Sequence, residues 1–338
     1  MTSTRLRRSD PASPGIRRHR RGRGFSYTGV SGERLADPEA LARIDGLVIP
    51  PAWRDVWICP WANGHIQAVG TDAAGRRQYL YHAQWRRQRD EEKHDRVLAM
   101  ARRLPQWRTG VAEDLAGRGL TRRRVLGAAL RMLDRGIFRT GGEEYAEENG
   151  THGVATLLRE HARVRAGACV FEYPAKGGID RAVSIEDPEL GKVVRSLLRS
   201  RAGSDRLLVY RTPAGWHEIH AADVNDRFKE LAGEDCTAKD LRTWNATVLA
   251  ATAFASAETP RSERGRKRAE AAVMCEVSEA LGNTPAVCRS SYVDPRLVEA
   301  YRSQRTIAPA VKRAAKLEGD EARAVLERAT ARLLSKLR

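Results

Sequence analysis

The chain has 338 residues, 41% of them hydrophobic, enough for two domains that each bury a core. Sixty Lys and Arg against 43 Asp and Glu leave a net charge of +17, an excess that points to a polyanionic partner, nucleic acid first. Five scattered cysteines without a CxxC pair argue against a disulfide framework and a thiolate zinc site, and fit a reducing cytosol. No apolar run approaches the roughly 20 residues of a membrane span, and the N-terminus lacks the apolar core of a signal peptide. The expectation is a cytoplasmic, nucleoid-associated protein with no membrane partner.

Residues 1–24 carry eight Arg and one acid, Asp10, interrupted by Pro11, Pro14, Gly15, Gly22 and Gly24. This composition predicts a disordered basic tail. Residues 25–90 predict a small β-rich domain. Val56-Trp57-Ile58, Ile66-Gln67-Ala68-Val69 and Gln78-Tyr79-Leu80-Tyr81 are strand-like runs, with turns at Gly64 and from Asp72 to Gly75. A charged stretch from Arg86 to Lys93 begins a helix.

Residues 91–338 predict a larger, mainly helical domain. Thr121 can cap a helix carrying Leu126, Leu130 and Leu133 on one face. Thr237-Ala238-Lys239-Asp240 resembles a capping box ahead of Leu241, Trp244, Val248 and Leu249. Val273, Val277 and Leu281 mark another helix, stopped by Gly282. Within 169–185, two β-rich runs flank Lys176-Gly177-Gly178, which predicts a hairpin. The fold class is α+β.

Cutting a DNA strand so that it can be resealed needs a covalent enzyme intermediate, and Tyr, Ser or Cys can supply the nucleophile. A Tyr hydroxyl, with an ordinary pKa of about 10, needs a strong positive field at the phosphate. Arg pairs supply it, because the guanidinium fork matches phosphate oxygens. The departing sugar oxygen needs a proton, which a Lys can give. Arg139 stands where a helix ends in a turn, Lys176 at the hairpin tip, Arg242 in the first turn of a helix, Asn283 after the Gly282 stop, and Tyr292 nine residues later. Taken singly, each is as ordinary as any surface arginine or half-buried tyrosine.

The string FRTGGEEYAEENGTHGVATL around Arg139 resembles the first arginine motif of poxvirus-type and bacterial type IB DNA topoisomerases. Lys239-Asp240-Leu241-Arg242-Thr243 resembles their second. Gly282-Asn283-Thr284-Pro285 followed by Arg289-Ser290-Ser291-Tyr292 resembles the segment bearing their nucleophile. The matches run in family order and cover most of residues 45–310. The resemblance implies a bilobal clamp on double-stranded DNA, acting as a monomer without an obligatory protein partner, metal, ATP or other cofactor. It implies Tyr292 as the nucleophile that forms a 3′-phosphotyrosyl bond, Arg139 and Arg242 on the non-bridging oxygens, and Lys176 as the acid for the 5′-oxygen. Asn283 stands where the poxvirus enzymes have His; its amide can donate a hydrogen bond but not a proton. Gln78, Tyr79 and Tyr81 match the strand that reads the major groove, although a tyrosine pair on one strand face also suits a core. Lys239 is a further DNA contact by the same match.

A tyrosine recombinase shares this chemistry, but usually has a His two residues before its second arginine and another just after it. Asp240 and Thr243 occupy those places. A non-enzymatic, nucleoid-type DNA-binding protein would explain the charge and leave the five-residue pattern unexplained. Clustered Asp, Glu and His at metal-ligand spacing, the mark of a metal-dependent nuclease, are not found in the sequence.

Overall fold

A computed structural model describes residues 5–258, 260 and 262–337. The chain divides into two compact units, Met1–Lys93 and His94–Arg338.

The first unit is built on a five-stranded antiparallel sheet of order β2-β1-β3-β4-β5. Its strands are β1 (Ile16–Arg21), β2 (Gly24–Thr28), β3 (Arg54–Ile58), β4 (Ile66–Thr71) and β5 (Arg77–Tyr81), with helix α1 (Pro38–Gly46) between β2 and β3. Ile16, Ile44, Val56, Ile58 and Ala68 form its core.

The expected disordered tail is a correction. The first four residues lie outside the described residues, but Arg7 to Gly24 are integrated into the sheet unit. The Arg7 carbonyl accepts from the His65 amide at 2.9 Å, and Ser9 is buried with its hydroxyl on the Ile66 carbonyl at 3.0 Å. β1 lies between β2 and β3. Its charge is tolerated because Arg18 donates to the carbonyls of Ile49, Pro50 and Trp53, at 3.2, 3.1 and 2.8 Å, while its guanidinium lies over Phe25. Composition gives no sign of such carbonyl partners, which remove the desolvation cost that would otherwise keep the segment in water.

Helix α2 (Ala83–Ala116) continues the chain into the second unit, starting three residues before the charged stretch that announces it. Then come α3 (Arg122–Gly136) and α4 (Glu143–Asn149), followed by a three-stranded antiparallel sheet, β6 (Ala162–Arg165), β7 (Ala168–Ala175) and β8 (Ile179–Glu186). After α5 (Pro188–Leu198) and the hairpin β9 (Val209–Thr212) and β10 (Gly215–Glu218), the chain is helical: α6 (Ala221–Ala232), α7 (Ala238–Ser256) and α8 (Glu263–Leu281). It ends with the short α9 (Pro285–Val287), α10 (Pro295–Arg302), α11 (Ala308–Ala314) and α12 (Gly319–Ser335).

The Thr121 hydroxyl caps α3 by accepting from the Arg124 amide at 3.3 Å, and Leu126, Leu130 and Leu133 are buried. At α7 half of the expected box forms: the Thr237 amide and hydroxyl both donate to Asp240, at 2.9 Å each. α8 ends in a left-handed Gly282 at φ +59°.

Residues 16–21 carry sheet stability, so Ile16→Ala should destabilise the first unit by about 2–5 kcal/mol, the cost of emptying a buried aliphatic site. Urea denaturation of wild type and variant measures it, and a change within error would return this segment to a loosely attached arm.

Candidate active site

Four of the five sequence-predicted residues converge where α3, α7 and α8 end or begin. Arg139 follows α3 by three residues. Its neighbour Phe138 is buried and packs on β7, edge-on to Phe171 and stacked with Tyr173, each at 5.4 Å. The Arg139 carbonyl accepts from the Val154 amide at 2.9 Å. Gly153 lies so close to Gly141 that a Cβ on it would stand 2.5 Å from the Gly141 nitrogen. The strand-like approach of FRTGG to NGTHG therefore fixes the Arg139 backbone from both sides. Its side chain donates through Nη2 to the Gly282 carbonyl at 3.2 Å and to Asn283 Oδ1.

Arg242, in the first turn of α7, is 4% exposed. Its Nη1 donates to the Ile137 carbonyl and its Nη2 to the Leu281 carbonyl, the terminal carbonyls of α3 and α8. The guanidinium carbon lies 5.4 Å from the centre of the Tyr292 ring. Burial, and repulsion from Arg139 and Arg181, push Arg242 down to about 10, against the opposing pull of the Tyr292 hydroxyl. It is still charged at neutral pH.

Tyr292 ends a π-helical turn, Cys288–Tyr292, and is half-buried. Thr247 of α7 donates its hydroxyl to the Tyr292 carbonyl at 3.2 Å and accepts from the Asp294 amide at 3.3 Å, fixing the main chain on both sides of Val293. Arg289, in the same turn, reaches the buried Glu270 of α8 at 3.4 Å, which Arg302 also holds at 2.7 and 2.9 Å.

Sequence reasoning missed Arg181. It lies on β8, and its guanidinium reaches four carbonyls: Ile137 at 3.3 Å, Leu281 at 3.2 Å, Ala280 at 2.9 Å and Gly136 at 3.5 Å. Burial, with Arg139 nearby, lowers its pKa too. The available signal was alternation. Arg181 shares the inward side of β8 with Val183 and Ile185, where an unneutralised charge is out of place.

The three arginines thus make their described hydrogen bonds to carbonyl and amide oxygens and, from Arg242, to the Tyr292 hydroxyl, and none to a carboxylate. Arg139 Nη1, Arg242 Nε and Asn283 Nδ2 are buried without a partner among the described residues. Buried donors left open beside three uncompensated positive charges suit an anion with several oxygens. Lys176 is not brought into this cluster by any contact described. It stands exposed in the turn between β7 and β8, where Gly177 and Gly178 adopt φ of +86° and +71°. That turn is three residues beyond the Tyr173–Arg181 pair in the hairpin register, about 10 Å along the strand.

Of the other predicted contacts, Lys239 is exposed in the first turn of α7. Tyr79 and Tyr81 are each 39% exposed on the edge strand β5, stacked 6.1 Å apart, with Arg77 over Tyr79. They are a surface pair and not core. Gln78 points to the opposite side, where its amide donates to Asp72 at 2.9 Å. Among the described residues no three His, Cys, Asp or Glu gather as a metal site, and no helix is long and apolar enough to cross a membrane.

Comparison with known proteins gives the family. The family model described as eukaryotic DNA topoisomerase I, catalytic core, matches residues 82–317. The chain belongs to the type IB DNA topoisomerases. The family model for the N-terminal domain of bacterial DNA topoisomerase IB matches residues 24–72. The DNA topoisomerase 1B of Acanthamoeba polyphaga mimivirus is 28% identical over 297 residues, covering 86% of this chain and 88% of the relative. The protein is accordingly an isomerase of DNA topology, with DNA as its substrate.

Glu270 ties the tyrosine-bearing turn to α8. Burial pushes its carboxyl up, but Arg302 and Arg289 outweigh this and hold it below the ordinary value. A carboxyl lowered on folding contributes stability above its unfolded pKa of about 4.3 and loses it as pH falls through the folded value. Both arginines are about half exposed, so solvent screening limits the effect. Glu270→Gln should cost about 1–2 kcal/mol at pH 7. It should also speed hydrogen exchange in residues 285–293 and reduce the loss of stability below pH 4. Unchanged exchange would detach Glu270 from the tyrosine segment.

Proposed function

We propose that this topoisomerase cuts one strand of duplex DNA with Tyr292 and reseals it through the reverse reaction. The Tyr292 oxygen attacks phosphorus, its proton passing to water. The bond from phosphorus to the 5′-oxygen breaks, leaving a 3′-phosphotyrosyl link, and the departing 5′-oxygen takes a proton from Lys176. The downstream duplex turns about the uncut strand, and supercoil strain drives the rotation. The free 5′-hydroxyl then attacks the phosphotyrosine and restores both groups. The link conserves the energy of the phosphodiester, so no ATP is required.

The observation that carries this reading is the set of carboxylate-free guanidiniums beside Tyr292. Charge grows on the non-bridging oxygens as the five-coordinate transition state forms. Donors already fixed in a dry site stabilise it without reorganising. In this reading the open donors of Arg139, Arg242 and Asn283 take those oxygens. Asn283 contributes a hydrogen bond and no proton. Lys176 reaches the 5′-oxygen from the hairpin tip once DNA is bound. Lys239 and the exposed face of Tyr79 and Tyr81 are DNA contacts, and Gln78 joins them only by leaving Asp72.

Tyr292→Phe should abolish relaxation of supercoiled plasmid, assayed with EDTA and without ATP, and leave DNA affinity within about threefold of wild type. Relaxation by that variant would remove Tyr292 as the nucleophile. Lys176→Ala should slow single-turnover cleavage by about 10²–10⁴-fold, the usual span of a lost general acid. DNA with sulfur at the bridging 5′ position needs no proton on the leaving group and should restore most of that rate. A variant equally slow on both substrates would show that Lys176 is not the acid.

A further inference from the structure

We propose that Arg181 is a positioning residue of the cleavage site, acting on the transition state through Arg242. The proposal rests on the tyrosine-cleavage reading above. Its ground is a shared pair of acceptors. The carbonyls of Ile137 and Leu281 each receive one hydrogen bond from Arg242 and one from Arg181. These are the carbonyl of the residue that caps α3 and the last carbonyl of α8, which have no partner within their helices. Ile137 holds its carbonyl there from a left-handed conformation at φ +50°, costly for a β-branched residue. Arg181 further engages Gly136 and Ala280, one residue earlier on each helix. Its stem packs on Gly282, where an added Cβ would meet the Arg181 Cδ at 3.1 Å.

Arg181 therefore holds two helix ends at a fixed separation. The two Nη groups of Arg242 need just those two carbonyls to set the plane of its guanidinium. Gly282, under the Arg181 stem, also gives its carbonyl to Arg139, and Asn283 follows it. One side chain on the hairpin thus fixes the pair of acceptors that Arg242 uses, while its own nitrogens are turned to the helix ends.

Three variants and a cycle test this. Arg181→Met keeps the stem on Gly282 and removes the donors, and Arg181→Lys keeps the charge without the fork. With folding checked by thermal melting and DNA affinity, Arg181→Met should slow single-turnover adduct formation by about 10- to 100-fold, the penalty of a small misplacement. Sulfur at the 5′ bridge should not restore the rate, because the fault lies in charge stabilisation and not in the leaving group. Arg181→Lys should remain slow. In an Arg242→Ala background, adding Arg181→Met should slow the reaction less than threefold more, since its effect passes through a group already removed. Full rates in Arg181→Lys would overturn the proposal in favour of a simple charge effect. Additive losses in the double variant, or rescue by sulfur, would overturn it in favour of general scaffolding or of the hairpin tip. If wild type itself formed no Tyr292 adduct, the cleavage reading would fail first.

Discussion

The site depends on how three guanidiniums are kept in a dry place without being neutralised. At Arg108 and Arg227 the protein does the opposite. Arg108 is matched by Asp134 and Glu327, and Arg227 by Asp114, all with buried or nearly buried carboxylates. Those pairs cancel their charges and leave no field for a substrate. At Arg139, Arg181 and Arg242 the partners are instead carbonyls, one amide oxygen and the Tyr292 hydroxyl. A helix C-terminus offers about half a negative charge spread over its last carbonyls. That is enough to hold an arginine in place and too little to cancel it. The cost is visible in the lowered pKa of Arg242 and Arg181, each disfavoured by burial and by its positive neighbours. In the proposed reaction a phosphodiester relieves that cost on binding, and the more strongly as its oxygens gain charge.

Much of this was legible in the sequence because the functional positions coincide with punctuation. Gly136, Gly282 and the Lys176-Gly177-Gly178 turn mark where helices stop and a strand reverses, and Arg139, Asn283 and Lys176 stand at or just beyond those marks. Arg181 stands at no such mark. It is one more arginine in a chain rich in them, and only the inward alternation of Arg181, Val183 and Ile185 sets it apart. Residues 5–24 failed for a related reason. Composition counts charges and cannot see that Arg18 will find three carbonyls or that Ser9 will meet Ile66. At β5 the period of two was enough to separate Gln78 from Tyr79 and Tyr81, while the family pattern placed all three on DNA together.

Tyr292, the proposed nucleophile, is held differently from the arginines. Arg139 and Arg242 are fixed at several points each, by carbonyls, by the Phe138 packing on β7 and by the Gly141–Gly153 approach. Tyr292 is fixed chiefly at its main chain, through Thr247, and its turn is tied to α8 through Arg289 and Glu270. The difference follows from what each group must do. In the proposed reaction the arginines stabilise charge in cleavage and in resealing, so their geometry should not change between the two. In the same proposal the tyrosine oxygen is free before cleavage, bonded to phosphorus afterwards, and free again. It must approach and retreat along one line, between a near-attack contact and bonding distance. A backbone anchored on one residue of α7, with the ring resting over Arg242, allows that travel without disturbing the field that drives it.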